Sequence, residues 1–331
     1  MVTFSEARLT QLLERFKKRR IAVIGDVMVD NYVWGAVRRI SPEAPVPVVE
    51  VEKETVRLGG AANVANNIKS LGAEPLLIGV VGDDANGDLL TKLLIEQGCP
   101  TMGIIRDGSR PTTIKTRVIA DSQHVVRFDN EYRGNIAGSV QDRLFKLLDE
   151  NIDTLDGIIL EDYNKGVIVQ SLIHRIIAAA SARKKIISVD PKFQNFFEYK
   201  NVSVFKPNRK ETEEALGIKI ETEKEVRDAV EMLKTKLNAE NILLTRGEQG
   251  MSLLDTNGLI EHLPTRARHV ADVSGAGDTV IATLTVALAS GASIHEAAVL
   301  ANFAGGIVCG EVGIVPIMPE MLFSAILSHQ S

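Results

Sequence analysis

Short apolar segments alternate with longer segments of helical periodicity along most of this 331-residue chain. After an apolar run that ends at Gly25 and Asp26, the pattern predicts strands at 75–80, 101–105, 157–160, 186–189, 202–205 and 241–244. Between them it predicts helices at 61–70, 87–97, 169–182, 209–216 and 223–237. Strands that alternate with helices pair in parallel and are covered on both faces. The expected fold is therefore α/β: a doubly wound, mostly parallel sheet with helices on both faces.

Two segments interrupt this alternation, at about residues 31–57 and 111–129. Both alternate apolar and polar residues, and "TTIKTRVIA" followed by "HVVRFDN" is typical of a hairpin. We expect them to form a small β-sheet lid inserted into one domain that spans residues 1–331, because no long linker is visible. Two further strands are expected around Asn257 and Gly258. Exposed sheet edges invite pairing, so a homodimer formed through the lid is expected.

The composition points to a small-molecule partner. The chain has 38 Lys and Arg against 43 Asp and Glu, a formal net charge of −5, and so lacks the basic field that attracts nucleic acid or anionic membranes. Its two cysteines belong to no CxxC pattern and its six histidines to no HExxH pattern, which argues against a zinc site. With no signal-peptide core and no apolar stretch long enough to span a bilayer, a cytoplasmic protein is expected.

The segment "DVSGAGDTVIATLTVALA" places an aspartate between a glycine-rich loop and an apolar helix. We expect the loop at 274–277 to lead into a buried helix from Val280 onward. Free N–H groups at a helix N-terminus bind anions, and phosphate is the expected ligand. A carboxylate repels a neighbouring phosphate, so its presence there indicates a chemical role. Accepting the proton of an attacking hydroxyl is such a role. Asp278 is therefore a candidate general base of a phosphoryl transfer from ATP.

The same aspartate has a simpler reading. An acidic residue in the first turn of a helix interacts favourably with the helix dipole without any catalytic role. The sequence contains no GxxxxGK[ST] loop, which argues against a P-loop kinase. It also contains no GxGxxG motif after a strand, which argues against a Rossmann dehydrogenase.

Two motifs together resemble those of a known family. "DVSGAGDT" resembles the C-terminal signature of the ribokinase-like (PfkB) carbohydrate kinases, and "LGGAANVANNIKSLGA" resembles their N-terminal glycine signature. The resemblance extends from the first strand to about residue 320. Within that family, "EDYNKG", "VDPK", "KPNRKE" and the segment that begins "RISPEAPVPVVEV" are similar to the kinases that phosphorylate D-glycero-β-D-manno-heptose 7-phosphate at C1, for ADP-heptose and lipopolysaccharide core synthesis. No HxGH-type nucleotidyltransferase motif follows, so the kinase step alone is expected.

The resemblance implies roles for residues around the sugar and the transferring phosphoryl group. It implies that Asp278 is the base and that the amides of Gly275, Ala276 and Gly277 form the anion hole. It implies sugar contacts from Asp30, on the loop after the first strand, and from the glycine signature residues Gly59, Gly60 and Asn63. A plain capping role is the alternative for Asp30.

The resemblance also implies a nucleotide and metal site. Asn208 and Glu211 match the motif that holds Mg²⁺ and its phosphates through water, although their spacing also fits a helix capping box. Thr245 and Gly247 match nucleotide-phosphate contacts, and Asn302 lies where the family has its adenine pocket. Backbone carbonyls near three further residues are candidate ligands of a monovalent cation such as K⁺: Asp272, Ser274 and Gly313.

A sugar 7-phosphate requires cations from the protein. The candidates lie in the two inserts or at strand ends: Arg38, Lys115, Arg117, Lys165 and Lys192. Lys115 and Arg117 share one face if their segment is a strand, because side chains alternate. Two alternatives remain open at this point: a kinase of ribose, fructose phosphate or a nucleoside, and a kinase-like fold that serves as a ligand sensor.

Overall fold

The computed structural model describes residues 2–121, 123–267, 270–311 and 313–330. Within these residues there are thirteen strands: β1 (Arg20–Gly25), β2 (Val27–Ile40), β3 (Pro47–Gly60), β4 (Glu74–Val81), β5 (Ile104–Arg106), β6 (Thr113–Ala120), β7 (Gln123–Asn130), β8 (Gly157–Glu161), β9 (Ile186–Asp190), β10 (Val204–Phe205), β11 (Asn241–Thr245), β12 (Met251–Leu254) and β13 (Ile260–Leu263).

The same residues contain ten α-helices: α1 (Glu6–Phe16), α2 (Ala61–Ser70), α3 (Ala85–Glu96), α4 (Gly138–Asn151), α5 (Gln170–Ala182), α6 (Arg209–Leu216), α7 (Glu223–Leu237), α8 (Ala276–Ala289), α9 (Ile294–Val308) and α10 (Pro319–Gln330). The predicted helices correspond to α2, α3 and α5 to α7, within two residues at each end. Helix α4 has no counterpart among the predictions. None of the described helices is long and apolar enough to cross a membrane.

Nine strands form one large sheet in the order β13-β12-β11-β10-β9-β8-β1-β4-β5. All neighbours from β11 to β5 are parallel, and β12 and β13 add an antiparallel edge. Side chains of β1 alternate between two apolar clusters, since Ile21 and Val23 lie in one and Ala22 and Ile24 in the other. Helices α1 to α3 and α8 to α10 supply the first cluster, and α4, α5 and α7 the second. The predicted doubly wound, mostly parallel sheet is confirmed.

The remaining four strands form a separate small sheet in the order β3-β2-β6-β7. Strand β2 pairs antiparallel with β3 and parallel with β6, and β6 and β7 form the expected hairpin. Asp30 lies inside β2, between Arg57 of β3 and Lys115 of β6, so its expected place on a loop was wrong. Strand β2 begins at Val27, only two residues after β1 ends at Gly25. The apolar residues continue from β1 into β2, so the sequence pattern does not indicate that the chain passes from one sheet to the other.

Two further boundaries differ from the predictions. Helix α8 begins at Ala276, so Ala276 and Gly277 lie in its first turn with Asp278 and not in the predicted entry loop. Strands β5 and β10 are shorter than expected, because 101–103 and 202–203 lie outside them. Small residues at 276 and 277 gave no apolar signal, although they are compatible with a helix.

The parallel sheet gathers polar residues at one edge. Asp26, Glu161, Asp190 and Lys206 each lie at or just beyond the carboxyl end of a strand, β1, β8, β9 and β10 respectively. Carboxyl ends of parallel strands meet at the same edge, where ligands of such sheets bind. The N-terminus of α8 joins this edge, since α8 packs against both β8 and β9.

Candidate active site

Three buried carboxylates meet at this edge of the sheet. Glu161, Asp190 and Asp278 offer oxygens that all lie within 4.8 Å of one another. Lys206 partly offsets their charge, because its Nζ lies 2.7 Å from Asp190. Both oxygens of Glu161 lack a hydrogen-bond partner among the described residues. Burial, together with the charges of Asp190 and Asp278, holds the pKa of Glu161 well above its usual range.

Asp278 lies in the first turn of α8 and is 2% exposed. Burial raises its pKa to about 6, although hydrogen bonds from Asn63 and Tyr163 act in the opposite direction. Asn63 Nδ2 donates to one carboxylate oxygen at 2.8 Å, and the Tyr163 hydroxyl donates to the other at 2.8 Å. At neutral pH this carboxylate is ionised, yet it is a stronger base than an exposed aspartate.

The glycine-rich segment leads into the helix through a left-handed residue. Gly275 has φ +75° and a Cβ there would lie 2.8 Å from Asn63 Nδ2, so conformation and space both favour glycine. The Ala276 N–H makes a long bond of 3.3 Å to the Val273 carbonyl. The Gly277 N–H donates to no described group, which leaves it available to an anion at the helix N-terminus.

A cavity of about 810 Å³ lies in front of this segment. Its lining contains many of the predicted nucleotide and phosphate residues: Lys192, Asn208, Thr245, Gly247, Gly275, Ala276, Gly277, Asp278 and Asn302. The volume suits a nucleotide-sized ligand. Asn302 Nδ2 donates to the Pro264 carbonyl at 2.8 Å, and Gly247 adopts φ +60° in the loop after β11. The tertiary structure therefore brings together residues that lie more than 100 positions apart in the chain.

The spacing of Asn208 and Glu211 produces the capping box that the sequence suggested. Asn208 Oδ1 accepts from the Glu211 N–H at 2.8 Å, and Glu211 Oε2 accepts from the Asn208 N–H at 2.8 Å. The other Glu211 oxygen forms an ion pair with Lys192. Thr245 lies beside Asn208 through a short parallel bridge, so the start of α6 and the end of β11 are neighbours.

The lid contributes a second group of predicted residues. Asp30 is 4% exposed and forms an ion pair with Arg117, while Gly59 is adjacent, since a Cβ there would lie 2.1 Å from Asp30 Oδ2. Lys115 Nζ lies 5.0 Å from the centroid of the Tyr163 ring and forms no ion pair among the described residues. Burial lowers the pKa of Lys115.

The other predicted cations have different surroundings. Lys165 is buried and forms an ion pair of 2.5 Å with Glu131. Arg38 is exposed near the end of β2 and lies 3.7 Å from Glu50. Gly60 has φ +57° and caps the N-terminus of α2.

The three residues predicted near a monovalent cation are neighbours. The Asp272 carboxylate accepts the Ser274 N–H at 2.9 Å and the Gly313 N–H at 3.2 Å. One carboxylate thus ties the segment before α8 to the segment after α9. Position 312 lies outside the described residues.

Four residues at the site had no predicted role: Tyr163, Asp26, Glu161 and Lys206. Asp26 accepts backbone N–H groups of Tyr163, Lys165 and Val167 at 2.8, 3.0 and 3.1 Å, and so holds the loop after β8. A weak signal existed for Tyr163 and Glu161, because both belong to "EDYNKG". Nothing local indicates that this segment reaches Asp278, which lies 115 positions further along the chain.

Comparison with known proteins gives a consistent result. The family model described as "pfkB family carbohydrate kinase" matches residues 18–321. The Bifunctional protein HldE of Trichlorobacter lovleyi is 41% identical over 320 residues, which cover 96% of this chain and 65% of that protein. The Bifunctional protein HldE of Helicobacter pylori strain J99 is 43% identical over 295 residues, covering 89% and 64%. The chain therefore spans just under two thirds of the length of these relatives.

Solved structures share the fold at low sequence identity. Phosphofructokinase-2 from Escherichia coli in complex with potassium aligns with a TM-score of 0.78 and 19% identity, over 95% of this chain and 99% of that one. Arabidopsis thaliana ribokinase complexed with ribose and ATP aligns with a TM-score of 0.74 and 19% identity, over 93% and 98%. At this identity the likeness shows the fold alone.

Proposed function

The chain belongs to the pfkB family of carbohydrate kinases, and on that premise we propose that it transfers the γ-phosphoryl group of ATP to the C1 hydroxyl of D-glycero-β-D-manno-heptose 7-phosphate. The product is the 1,7-bisphosphate, a precursor of ADP-heptose for the lipopolysaccharide core. The observation that carries the proposal is a buried carboxylate, Asp278, in the first turn of a glycine-led helix that faces the 810 Å³ cavity. ATP as the donor places this reaction in the cytoplasm.

The proposed chemistry uses the groups at the N-terminus of α8. Asp278 accepts the proton of the C1 hydroxyl while the sugar oxygen forms a bond to the γ-phosphorus. The bond between that phosphorus and the bridging oxygen breaks, and ADP leaves. The raised pKa of about 6 suits this task, because the carboxylate is ionised at neutral pH and retains high proton affinity. The N–H groups of the glycine-rich turn stabilise the charge on the transferring group.

Magnesium is the metal that this chemistry requires. Glu161 and Asp190 offer only oxygen atoms and fit Mg²⁺, and Glu161 has no described hydrogen-bond partner that would compete. Asn208 and Glu211 remain proposed ligands through water. A bound Mg²⁺ would neutralise negative charge on the ATP phosphates. K⁺ near Asp272, Ser274 and Gly313 is proposed as a second, monovalent cation.

A phosphate on the sugar is supported by Lys115. Lys115 is half-buried, desolvation lowers the pKa of its ammonium group, and an anionic ligand would favour the charged form. Arg117 lies on the same face of β6, two residues away, and its guanidinium pairs with Asp30. We propose that Asp30 and Asn63 contact sugar hydroxyls and that Lys115 and Arg117 contact the 7-phosphate. Lys165 and Lys192 are proposed to support phosphate binding, and Arg38 would do so only after the lid moves.

The decisive experiment measures ADP release with Mg-ATP and each of three acceptors: the heptose 7-phosphate, fructose 6-phosphate and ribose. We expect turnover with the heptose phosphate to exceed turnover with ribose by at least about 100-fold, since ribose lacks the phosphate and a missing charged contact costs ~3 kcal/mol. Fructose 6-phosphate carries a phosphate on a shorter sugar and should be turned over more slowly than the heptose phosphate. Asp278→Asn should lower turnover by about 10²-fold to 10⁴-fold while ATP binding persists. Equal turnover with neutral ribose would contradict the choice of substrate, and ATP binding without turnover on any acceptor would favour a sensor.

The lid has an exposed apolar face that supports the proposed homodimer. Val51, Val126 and Phe128 are 60%, 50% and 58% exposed, and the strand registers place them on the face opposite to Lys115 and Arg117. We propose that a second copy of the chain covers this face. Light scattering should give a dimer for the natural chain and a monomer for Phe128→Glu; a natural chain that is monomeric at high concentration would exclude the dimer.

A further inference from the structure

The Arg246 side chain anchors the loop between β11 and β12, which forms part of the wall of the nucleotide-sized cavity. Residues 245–251 all line that cavity. Within the loop, Gly247–Gln249 are exposed, whereas Arg246 is 8% exposed. The backbone of the loop closes on itself, because the Arg246 N–H donates to the Gly250 carbonyl at 2.8 Å. The Arg246 side chain is therefore the part of this closed loop that packs into the protein.

The guanidinium of Arg246 joins the loop to three other elements. Its Nη1 and Nη2 donate to the two carboxylate oxygens of Glu223, at the start of α7, at 3.0 and 2.7 Å. Nη1 also lies 2.9 Å from the Ser252 hydroxyl of β12 and 3.3 Å from His262 Nδ1 of β13. Nη2 donates to Gln249 within the loop at 3.2 Å. Pairing of an arginine with a carboxylate through two bonds fixes direction as well as distance.

Glu223 differs from Arg246 in its surroundings. The Glu223 side chain is 60% exposed, and the residue does not line the cavity. Hydrogen bonds from Arg246 lower the pKa of Glu223, so the carboxylate is charged at neutral pH. An ion pair between exposed groups contributes little, but a buried guanidinium requires a charged or polar partner. Glu223 therefore affects a ligand in the cavity through Arg246 and not by contact.

The loop presents groups that suit the phosphates of a nucleotide. The Gly247 N–H donates to no described group, and Gly247 adopts φ +60°. Thr245 is half-buried and lies beside Asn208 through the parallel bridge. Backbone N–H groups in a turn bind an anion when the turn holds them in a fixed direction. The affinity for phosphate should therefore depend on how firmly the loop is anchored.

We propose that Arg246, held by Glu223, is a positioning residue that keeps the loop at 245–250 in the conformation that binds the phosphates of ATP. The inference rests on the proposed function, which assigns the cavity to ATP. A direct contact between Arg246 and ATP would predict the opposite effect of a change at Glu223. Loss of that carboxylate would then leave the guanidinium free to pair with phosphate, and ATP would bind more tightly.

The test measures Kd for Mg-ATP by calorimetric titration, and KM for both substrates by ADP release with heptose 7-phosphate as the acceptor. We expect Kd for Mg-ATP to rise about tenfold in Arg246→Met and about threefold in Glu223→Gln, since each change removes charge-assisted hydrogen bonds. KM for the sugar should stay within about twofold of the natural value. The double variant should bind Mg-ATP no more weakly than Arg246→Met, because both changes break the same contact.

Arg227→Met is the matched control. Arg227 is an exposed arginine of α7 that lies 3.7 Å from Glu231, so its loss should leave Kd for Mg-ATP unchanged. Unchanged or tighter binding of Mg-ATP in Glu223→Gln would overturn the proposal, and tighter binding would assign Arg246 to direct contact with ATP. If Arg246→Met folds poorly, Glu223→Gln decides the matter, because its side chain is exposed.

Failure of this inference is distinguishable from failure of the kinase function. A natural protein that binds Mg-ATP but phosphorylates no sugar would refute the kinase function, while the Kd values of the variants would still decide the role of Arg246. A natural protein that does not bind Mg-ATP would overturn both.

Discussion

Replacing Asp278 with asparagine should stabilise the protein while removing its proposed base. The carboxylate is 2% exposed, and burial raises its pKa from 3.8 to about 6. A shift of about two units, at ~1.36 kcal/mol per unit, corresponds to ~3 kcal/mol of stability that the charged form loses. The asparagine carries no charge and should recover this free energy.

The hydrogen bonds around Asp278 are compatible with the substitution. The amide oxygen of asparagine would accept from Asn63, as the carboxylate does. Its NH₂ group would donate to the Tyr163 oxygen, because a phenol both donates and accepts. With an unfolding entropy of about 2.1 cal/mol/K per residue, ~3 kcal/mol raises the Tm of this 331-residue chain by ~4 °C.

The sign of the pH dependence follows from the raised pKa. The folded protein holds this proton more tightly than the unfolded chain, so the stability of the natural protein falls as pH rises from 3.8 to about 6. The full penalty is present above pH 6. The gain from Asp278→Asn should therefore be ~3 kcal/mol at pH 8 and about half of that at pH 5.

Urea denaturation followed by circular dichroism at pH 8 and pH 5 measures both values, beside turnover, which should fall by about 10²-fold to 10⁴-fold. Asp228→Asn, at an exposed position of α7, is the control and should change neither quantity. No gain at pH 8, or an equal gain at both pH values, would refute the reasoning.

Three further predictions concern activity, packing and substrate binding. Because Asp278 must be ionised to accept a proton, kcat/KM should fall as pH drops below about 6; a rate that stays constant down to pH 5 would show that another group is the base. Gly59→Ala places a Cβ 2.1 Å from Asp30 Oδ2 and should destabilise the protein by about 1–3 kcal/mol in urea denaturation, whereas Gly138→Ala, with nothing within 4 Å, should not. Lys115→Met should raise KM for the phosphosugar by about tenfold or more and leave KM for ATP unchanged; an equal rise in both would assign Lys115 to the nucleotide.

Local patterns in the chain were sufficient for the framework of the fold. Helices α2, α3 and α5 to α7 and most strands follow from periodicity, because an element buries its apolar side chains at spacings that its own geometry sets. The capping box of Asn208 and Glu211 also follows from spacing, since it joins residues three positions apart. Glycine at 275 and the aspartate three residues later marked the helix N-terminus, although the start of α8 was placed too late.

Other features depend on contacts between distant segments. Asp30 lies inside β2, because the chain passes from β1 into the lid almost without a loop. The apolar residues run on from β1 into β2, and local periodicity does not separate the two strands. The ion pair of Lys192 with Glu211 occupies a predicted metal ligand, and no pattern around either residue indicates it. The clustering of Glu161, Asp190 and Asp278 arises where two parallel strands end beside one helix. The roles of the individual site residues remain predictions.

The sequence by itself determined the class of fold, the family signatures and the residue proposed as the base, since each depends on neighbours in the chain. The tertiary structure alone decided what surrounds that base. Tyr163 and Asn63 reach Asp278 from 115 and 215 positions away, and burial among other carboxylates raises its pKa. Side-chain distances and desolvation depend on how separate elements pack in three dimensions, and local periodicity carries no information about either.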